Sequence, residues 1–408
     1  MRFLMVTTFY PPYHFGGDAT YVRALSRALV TAGHEVDVVC CTDAYRIAGG
    51  RVEAPAPVDD DGVKVHRLAS RLGMLSPLIS QQIGRPGLKA STLREVMAQP
   101  FDVVNFHNIS LIGGPAVLGF SQAPVTLYTL HEHWLLCPTH IFWKNRTRAC
   151  DSRTCLSCCL LSGKPPQLWR YGTAIGAAMR HVDRLIAPSS FTAEAHRAAG
   201  FAPPIEILPG FAAMALTPAQ IGFRPPARPT FLYVGRVTRS KGIEAMAARF
   251  QTRPDYELVI IGDGDSLEDL RTRHAGDDNI TLLGHVPQDE LIEAYRAATA
   301  LVLPSLAPES FGLTTVEAFA CGTPAVVHDA GGAGEAVRAS GAGYVYDTLD
   351  DAFAAMDQLA GDLALRRQMG LAAHAAYQEL YSLKVHLARY LRIVDNVATA
   401  GGRQSRCA

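Results

Sequence analysis

The chain has 408 residues, too many for one ordinary hydrophobic core, so two domains are expected. A hydrophobic content of 48% with 19% charged residues argues against a disordered chain, and a formal net charge of zero argues against nucleic acid as a partner. No apolar run is long enough to cross a membrane, and the opening run is too short and too proline-bounded for a secretion signal, so the expected location is the cytoplasm.

Residues 3–8 read as a buried strand, followed by a loop carrying Gly16 and Gly17. A helix comes next, with apolar residues at Tyr21, Val22, Leu25 and Leu29, and it stops at Gly33. Further strands are predicted over residues 35–41, 63–68, 101–107, 125–131 and 183–188. Residues 51–62, with Asp59, Asp60 and Asp61 in a row, read as a solvated loop, and residues 70–90 as a loop without a legible code. Prolines cluster over residues 208–229, which marks a linker at 211–229 between a domain of residues 1–210 and a second over 230–382. The second half repeats the pattern, with strands at 230–234, 256–261, 280–283, 300–304 and 324–327. Helices are expected near 242–250, 266–274 and 288–297, and two long ones over 363–380 and 383–398 close the chain. Apolar strands alternating with helices imply two Rossmann-like, doubly wound parallel-sheet domains.

The most informative stretch runs from Glu309 through Phe311, Gly312, Leu313 and Thr314 to Glu317. It places a glycine loop and a helix start after an apolar strand, where amides and the helix dipole attract phosphate. Carboxylates beside such a cradle are acceptors for sugar hydroxyls. Glu317 also fits a capping box with Thr314 as N-cap. Upstream, Gly235, Arg236, Lys241 and Gly242 follow the first strand of the second domain, and the two cations suit a diphosphate. Gly262 with Asp263, and His285 with Val286, end the next two strands and are placed for ribose or base contacts. In the first domain His107 and His131 each end a strand, with Glu132 and His133 as neighbours.

Taken together, the sequence resembles the family 4 glycosyltransferases of the GT-B architecture, over essentially its full length. The residues that carry the resemblance are Gly235-Arg236, Lys241-Gly242, the Glu309/Glu317 pair with its Phe-Gly-Leu loop, and the glycine loop at Gly16 and Gly17. The resemblance implies retaining transfer from a UDP- or GDP-sugar. Arg236 and Lys241 would bind the diphosphate, Glu309 the donor-sugar hydroxyls, Glu317 the ribose, and His131 the transferred sugar. It also implies that the final helix, residues 383–400, returns to the first domain. The acceptor is expected to be a glycan, a lipid-linked glycan or a small molecule, in cell-envelope polysaccharide synthesis. The alternatives are a nucleotide-sugar epimerase of the same architecture, a natural-product glycosyltransferase, or a non-catalytic sugar-binding protein. No cofactor is required for that chemistry.

One segment falls outside the pattern. Cys137, Cys150, Cys155 and Cys158 form a C-x12-C-x4-C-x2-C series in an insert at residues 137–159. In a reducing compartment that density points to structural zinc, with an iron–sulfur cluster as the alternative. Lys144, Arg146, Arg148, Arg153, Lys164 and Arg170 make the region basic, and with the tryptophans they suggest a lipid-linked acceptor and peripheral contact with the inner face of the membrane.

Overall fold

A computed structural model describes residues 1–52, 57–214 and 227–401. The chain divides into two compact units: Met1–His140, Thr154–Pro209 and the chain from His386 on form the first, and Ile141–Arg153 with Gly210–Val385 form the second. Residues 141–153 of the cysteine-bearing insert therefore belong to the second unit, not to the first as expected. Most of the expected linker, residues 215–226, lies outside the described residues.

The strands in chain order are β1 (Arg2–Val6), β2 (Glu35–Cys41), β3 (Asp59–Asp60), β4 (Val63–Leu68), β5 (Val103–Phe106) and β6 (Val125–Thr129). After the insert hairpin, β7 (Trp143–Lys144) and β8 (Arg148–Ala149), come β9 (Arg184–Ala187) and β10 (Ile205–Ile207). Eight of these make the sheet of the first unit, ordered β10-β9-β6-β5-β1-β2-β4-β3. Phe3, Leu4, Met5 and Val6 of β1 are fully buried, because a central parallel strand is covered by helices on both faces. The run β4-β2-β1-β5-β6-β9 is the doubly wound order, which reverses between β1 and β5 and opens a crevice at their carboxyl ends.

The aspartate run is not the solvated loop expected. β3 pairs antiparallel with β4. The Asp60 carboxylate accepts hydrogen bonds from the Tyr10 hydroxyl at 2.7 Å, from Arg23 at 2.8 and 2.9 Å and from Arg27 at 2.5 Å. Arg23 and Arg27 stand one turn apart on the helix Gly17–Thr31, so one carboxylate serves both. Burial would raise the Asp60 carboxyl, but these partners hold it well below the ordinary range. Residues 70–90 also differ from a plain loop, since Leu75–Ile83 forms a helix.

The second unit has β11 (Thr230–Val234), β12 (Glu257–Ile261), β13 (Ile280–Gly284), β14 (Ala300–Leu303), β15 (Ala325–His328) and β16 (Gly343–Tyr346). All pair in parallel, in the order β13-β12-β11-β14-β15-β16. The order reverses between β11 and β14, which puts this unit's crevice there. The helix expected over 363–380 is α-helical for Leu363–Ala376 and then widens into a π turn, Tyr377–Tyr381. That turn lies against the helix Leu313–Ala320, with Tyr377 and Tyr381 both buried, and the Tyr381 carbonyl accepts from the Ala212 amide at 3.1 Å.

The loops after β11 and β12 touch so closely that a side chain does not fit. A Cβ on Gly262, at φ +138°, would lie 1.8 Å from the Gly235 carbonyl oxygen. Gly262→Ala is expected to lose about 2–4 kcal/mol in urea unfolding, whereas Gly276→Ala, in open space, should stay within about 0.5 kcal/mol of wild type.

Candidate functional site

In the second unit, the residues singled out by sequence stand at the carboxyl ends of β11, β12, β13 and β14 or on the helix after β14. β11 runs into Gly235, at φ +153°, and the Tyr233 hydroxyl donates to the Arg236 carbonyl at 2.6 Å, folding the loop over. The Ser240 carbonyl accepts from the amides of Leu306 and Ala307 at 2.9 and 3.0 Å, joining this loop to the one after β14. At the same join a Cβ on Gly242 would meet the Pro304 carbonyl at 2.0 Å. Backbone approach at the switch point therefore depends on glycine on both sides of β11.

That approach brings Lys241 to Glu309. The Lys241 ammonium donates to Glu309 Oε1 at 2.5 Å, and the Ser305 hydroxyl donates to the same oxygen at 2.5 Å. Their side chains are 21% and 17% exposed. Burial would raise the Glu309 carboxyl, but the Lys241 charge, these hydrogen bonds and the field of Arg236 hold it below its ordinary value. The main chain is fixed as well, with the Glu309 amide on the Ala330 carbonyl at 3.0 Å and the Gly332 amide on the Glu309 carbonyl at 2.8 Å. Ser305 is held from behind by His328 Nδ1 on its carbonyl at 2.7 Å. Glu309 is thus an ionised acceptor locked in place, rather than a loose complement to a helix dipole.

Glu317 behaves differently, and the expected capping box is absent. The helix Leu313–Ala320 starts from Gly312 at φ +88° with no side-chain cap. Glu317 accepts instead from the Tyr295 hydroxyl at 2.8 Å. Burial pushes its carboxyl up to about 7, and the Tyr295 bond only partly opposes that. With no cap, the Leu313 and Thr314 amides have no intrahelical acceptor and face outward at the positive end of the helix. The Phe311 ring is turned away from this edge, buried 6.1 Å from the Tyr381 ring. Asp263 and His285 are exposed at the same sheet edge, and Asp263 also closes its own turn through the Gly264 amide at 2.7 Å. Val286 is partly buried against the core.

In the first unit His107 Nδ1 and His131 Nε2 share a hydrogen bond at 2.9 Å with their rings stacked, so the two candidates form a pair. The Tyr21 ring lies edge-on 4.7 Å from His131, and its hydroxyl meets His386 Nε2 at 2.7 Å. His386 Nδ1 donates to the Pro209 carbonyl at 2.8 Å, which leaves Nε2 as the acceptor. Burial lowers His131 to about 4 and His386 to about 3, so both are neutral near pH 7. Gly16 and Gly17 are exposed and open the helix that carries Asp18, whose carboxylate accepts from the Ala19 amide at 2.8 Å and from Asn108 at 3.4 Å. Burial, with Glu132 nearby, raises Asp18 to about 6.

The cysteines are divided. Cys137, Cys155 and Cys158 belong to the first unit, together with Cys159, which the series had left out; Cys150 belongs to the second. Cys150 is exposed, with its Sγ 3.6 Å from the Ser152 carbonyl. Among the described residues, no group of three or more His, Cys, Asp or Glu side chains is arranged to hold a metal ion.

With this geometry in view, the comparisons are direct. The model of Glycosyltransferase Family 4 matches residues 15–212, and that of Glycosyl transferases group 1 matches residues 219–375. The D-inositol 3-phosphate glycosyltransferase of Pseudarthrobacter chlorophenolicus is 32% identical over 392 residues, covering 88% of this chain and 85% of that one. The chain belongs to glycosyltransferase family 4. It is an enzyme that transfers glycosyl groups, with the two Rossmann-like units of the GT-B fold. The glycogen synthase of Mycobacterium tuberculosis is 29% identical over 83% of this chain and 80% of its own length. Sucrose-phosphate synthase from Thermosynechococcus elongatus superposes with a TM-score of 0.73 at 20% identity, covering 98% and 99% of the two chains. Anabaena HepE in complex with UDP-glucose gives 0.68 at 17% identity, covering 97% and 100%. No described helix of this glycosyltransferase is long and apolar enough to cross a membrane.

Sequence reasoning missed Ser305, Tyr295 and the 330–332 backbone. Gly331-Gly332 was a visible signal, whereas Tyr295 sits in an ordinary amphipathic helix and gave none. The Glu317 shift has a definite sign. The folded state holds a proton that the unfolded chain releases, so this group's contribution is full below pH 4.5 and is lost as pH rises to about 7. Glu317→Gln, which does not titrate, should gain on wild type by about 2 kcal/mol across that window, allowing for partial exposure. Urea unfolding at several pH values checks it; a gap independent of pH would show that Glu317 is ionised throughout.

Proposed function

We propose that this glycosyltransferase moves a sugar from a UDP- or GDP-sugar, with retention of configuration, to a glycan, lipid-linked or small-molecule acceptor in polysaccharide or cell-envelope glycan assembly. The observation that carries the donor reading is the Lys241–Glu309–Ser305 cluster at the β11/β14 switch point, with Arg236 beside it. Two fixed cations and the uncapped helix start offer the charge and amides that a departing nucleoside diphosphate needs, so the leaving group is stabilised by the chain itself. Glu309, held ionised, is an acceptor for donor-sugar hydroxyls, and Glu317 with Tyr295 is assigned to the ribose. Neutral His131 is assigned the transferred sugar, the role that its place in the family pattern implies. Retention is attributed to transfer on one face of the sugar, with the leaving phosphate taking the acceptor proton and no covalent glycosyl-enzyme formed. HepE, crystallised with UDP-glucose, supports the nucleotide-sugar class of donor.

Glu309→Gln keeps the shape of the cluster and removes its charge. Transfer should fall by roughly a hundredfold or more, while binding of UDP or GDP changes only a few-fold. Lys241→Ala should lose both. Release of free nucleotide across a panel of donors, with the anomeric configuration read by NMR, checks the reading. Full activity in Glu309→Gln would remove Glu309 from the site, and donor turnover to an epimer without nucleotide release would identify an epimerase instead.

A further inference from the structure

The helix Leu75–Ile83 is inside out. Its serines are buried, Ser76 at 2% and Ser80 at 0% exposure, while Leu75, Ile79 and Ile83 stand 58%, 39% and 48% exposed. These three recur every fourth residue and form one outward apolar stripe. The inward serines have partners: the buried Lys89 ammonium donates to Ser76 Oγ at 2.7 Å, and Ser80 Oγ donates to the Pro86 carbonyl at 3.1 Å. The helix thus docks on its own unit through Ser76, Pro77 and Ser80 and leaves its apolar stripe uncovered.

Beside it lies the turn Leu168–Tyr171, fixed by Trp169 Nε1 donating to the Gln81 carbonyl at 2.8 Å. Leu168 and Tyr171 of that turn are 68% and 66% exposed. Stripe and turn together present on the order of several hundred Å² of apolar surface, the size of patch that on a monomer often marks an interaction site. The two segments that carry this face hold charge of one sign. Residues 62–94 and 154–182 contain no Asp or Glu, and they carry exposed Arg71, Arg85, Lys164 and Arg180.

We propose that this face of the first unit docks on an anionic phospholipid bilayer, with the helix lying flat, its apolar stripe among the acyl chains and the arginines and Lys164 at the headgroups. Charge selects this occupant over a second copy of the chain, because a twofold dimer through the face would set its basic rim against itself. The proposal gives the expected peripheral membrane contact a location, and it does not depend on the donor reading.

The test uses the purified full chain in co-sedimentation with vesicles of phosphatidylcholine alone or mixed with phosphatidylglycerol. Wild type should bind the phosphatidylglycerol vesicles and largely ignore the neutral ones, with binding weakened by salt. The double variant Ile79→Asp/Ile83→Asp should lose at least roughly tenfold in binding with its thermal midpoint unchanged. Arg85→Glu should lose several-fold. The proposal is overturned if wild type ignores both vesicles, or if the double variant binds as wild type does. It is equally overturned if the face proves to join two copies, seen as a wild-type dimer that the double variant dissolves with no vesicle binding in either.

Discussion

The second unit is organised around one ion pair, Lys241 with Glu309. Each side chain is mostly withdrawn from water, where a lone charge would be neutralised rather than tolerated. The pair meets because the loops after β11 and β14 approach to backbone distance, which Gly242 permits, and because Glu309 is tied through its own amide and carbonyl to residues 330–332. Two switch-point loops therefore converge on one carboxylate oxygen, and the loop after β15 holds the main chain that carries it. Removing either charge strands the other, so substitutions here act on folding as well as chemistry, and Glu309→Gln is more informative than alanine because its amide still fills the site and offers an acceptor oxygen.

The two glutamates that first mark this chain are separated by eight positions and by their protonation. Glu309 has an ammonium and a hydroxyl on one oxygen and stays charged. Glu317 has only the Tyr295 hydroxyl, and burial pushes its carboxyl up to about 7. Environment alone sets that difference. An ionised carboxylate only accepts hydrogen bonds, whereas a carboxylic acid can also donate one, so the two positions suit hydroxyl groups in different ways.

The sheets were legible because central parallel strands are continuous apolar runs, and β1, β2, β4 and β11 fall at or near their expected bounds. What escaped was set by partners distant in sequence. Thr314 and Glu317 fit a capping box locally, and only Tyr295, twenty-two positions upstream, draws the carboxylate away. Asp60 looked like surface until Tyr10, Arg23 and Arg27 were brought to it. The helix Leu75–Ile83 was unreadable for a sharper reason. Its apolar periodicity is regular, but the convention that the apolar stripe faces the core is reversed by the buried Lys89. Pairing of His107 with His131 was likewise invisible, although each histidine was placed correctly at a strand end.

Both units share the order of their six central parallel strands and set candidate residues at strand carboxyl ends, yet they do so with opposite electrostatics. After β11 and β14 the second unit gathers Arg236, Lys241 and an ionised Glu309. After β5 and β6 the first unit sets His107 and His131, both driven towards the neutral form by burial, within a shell formed by Tyr21 and His386. That contrast suits the roles proposed above for the two sets of residues in glycosyl transfer. A departing nucleoside diphosphate accumulates negative charge and needs fixed cations, while sugar hydroxyls need oriented donors and acceptors that carry no charge of their own. A neutral imidazole offers one of each, and its hydrogen-bonded neighbour decides which nitrogen plays which part. One topology can thus hold charged and neutral groups alike, because the strand ends fix where side chains stand and leave their charge to burial and immediate partners.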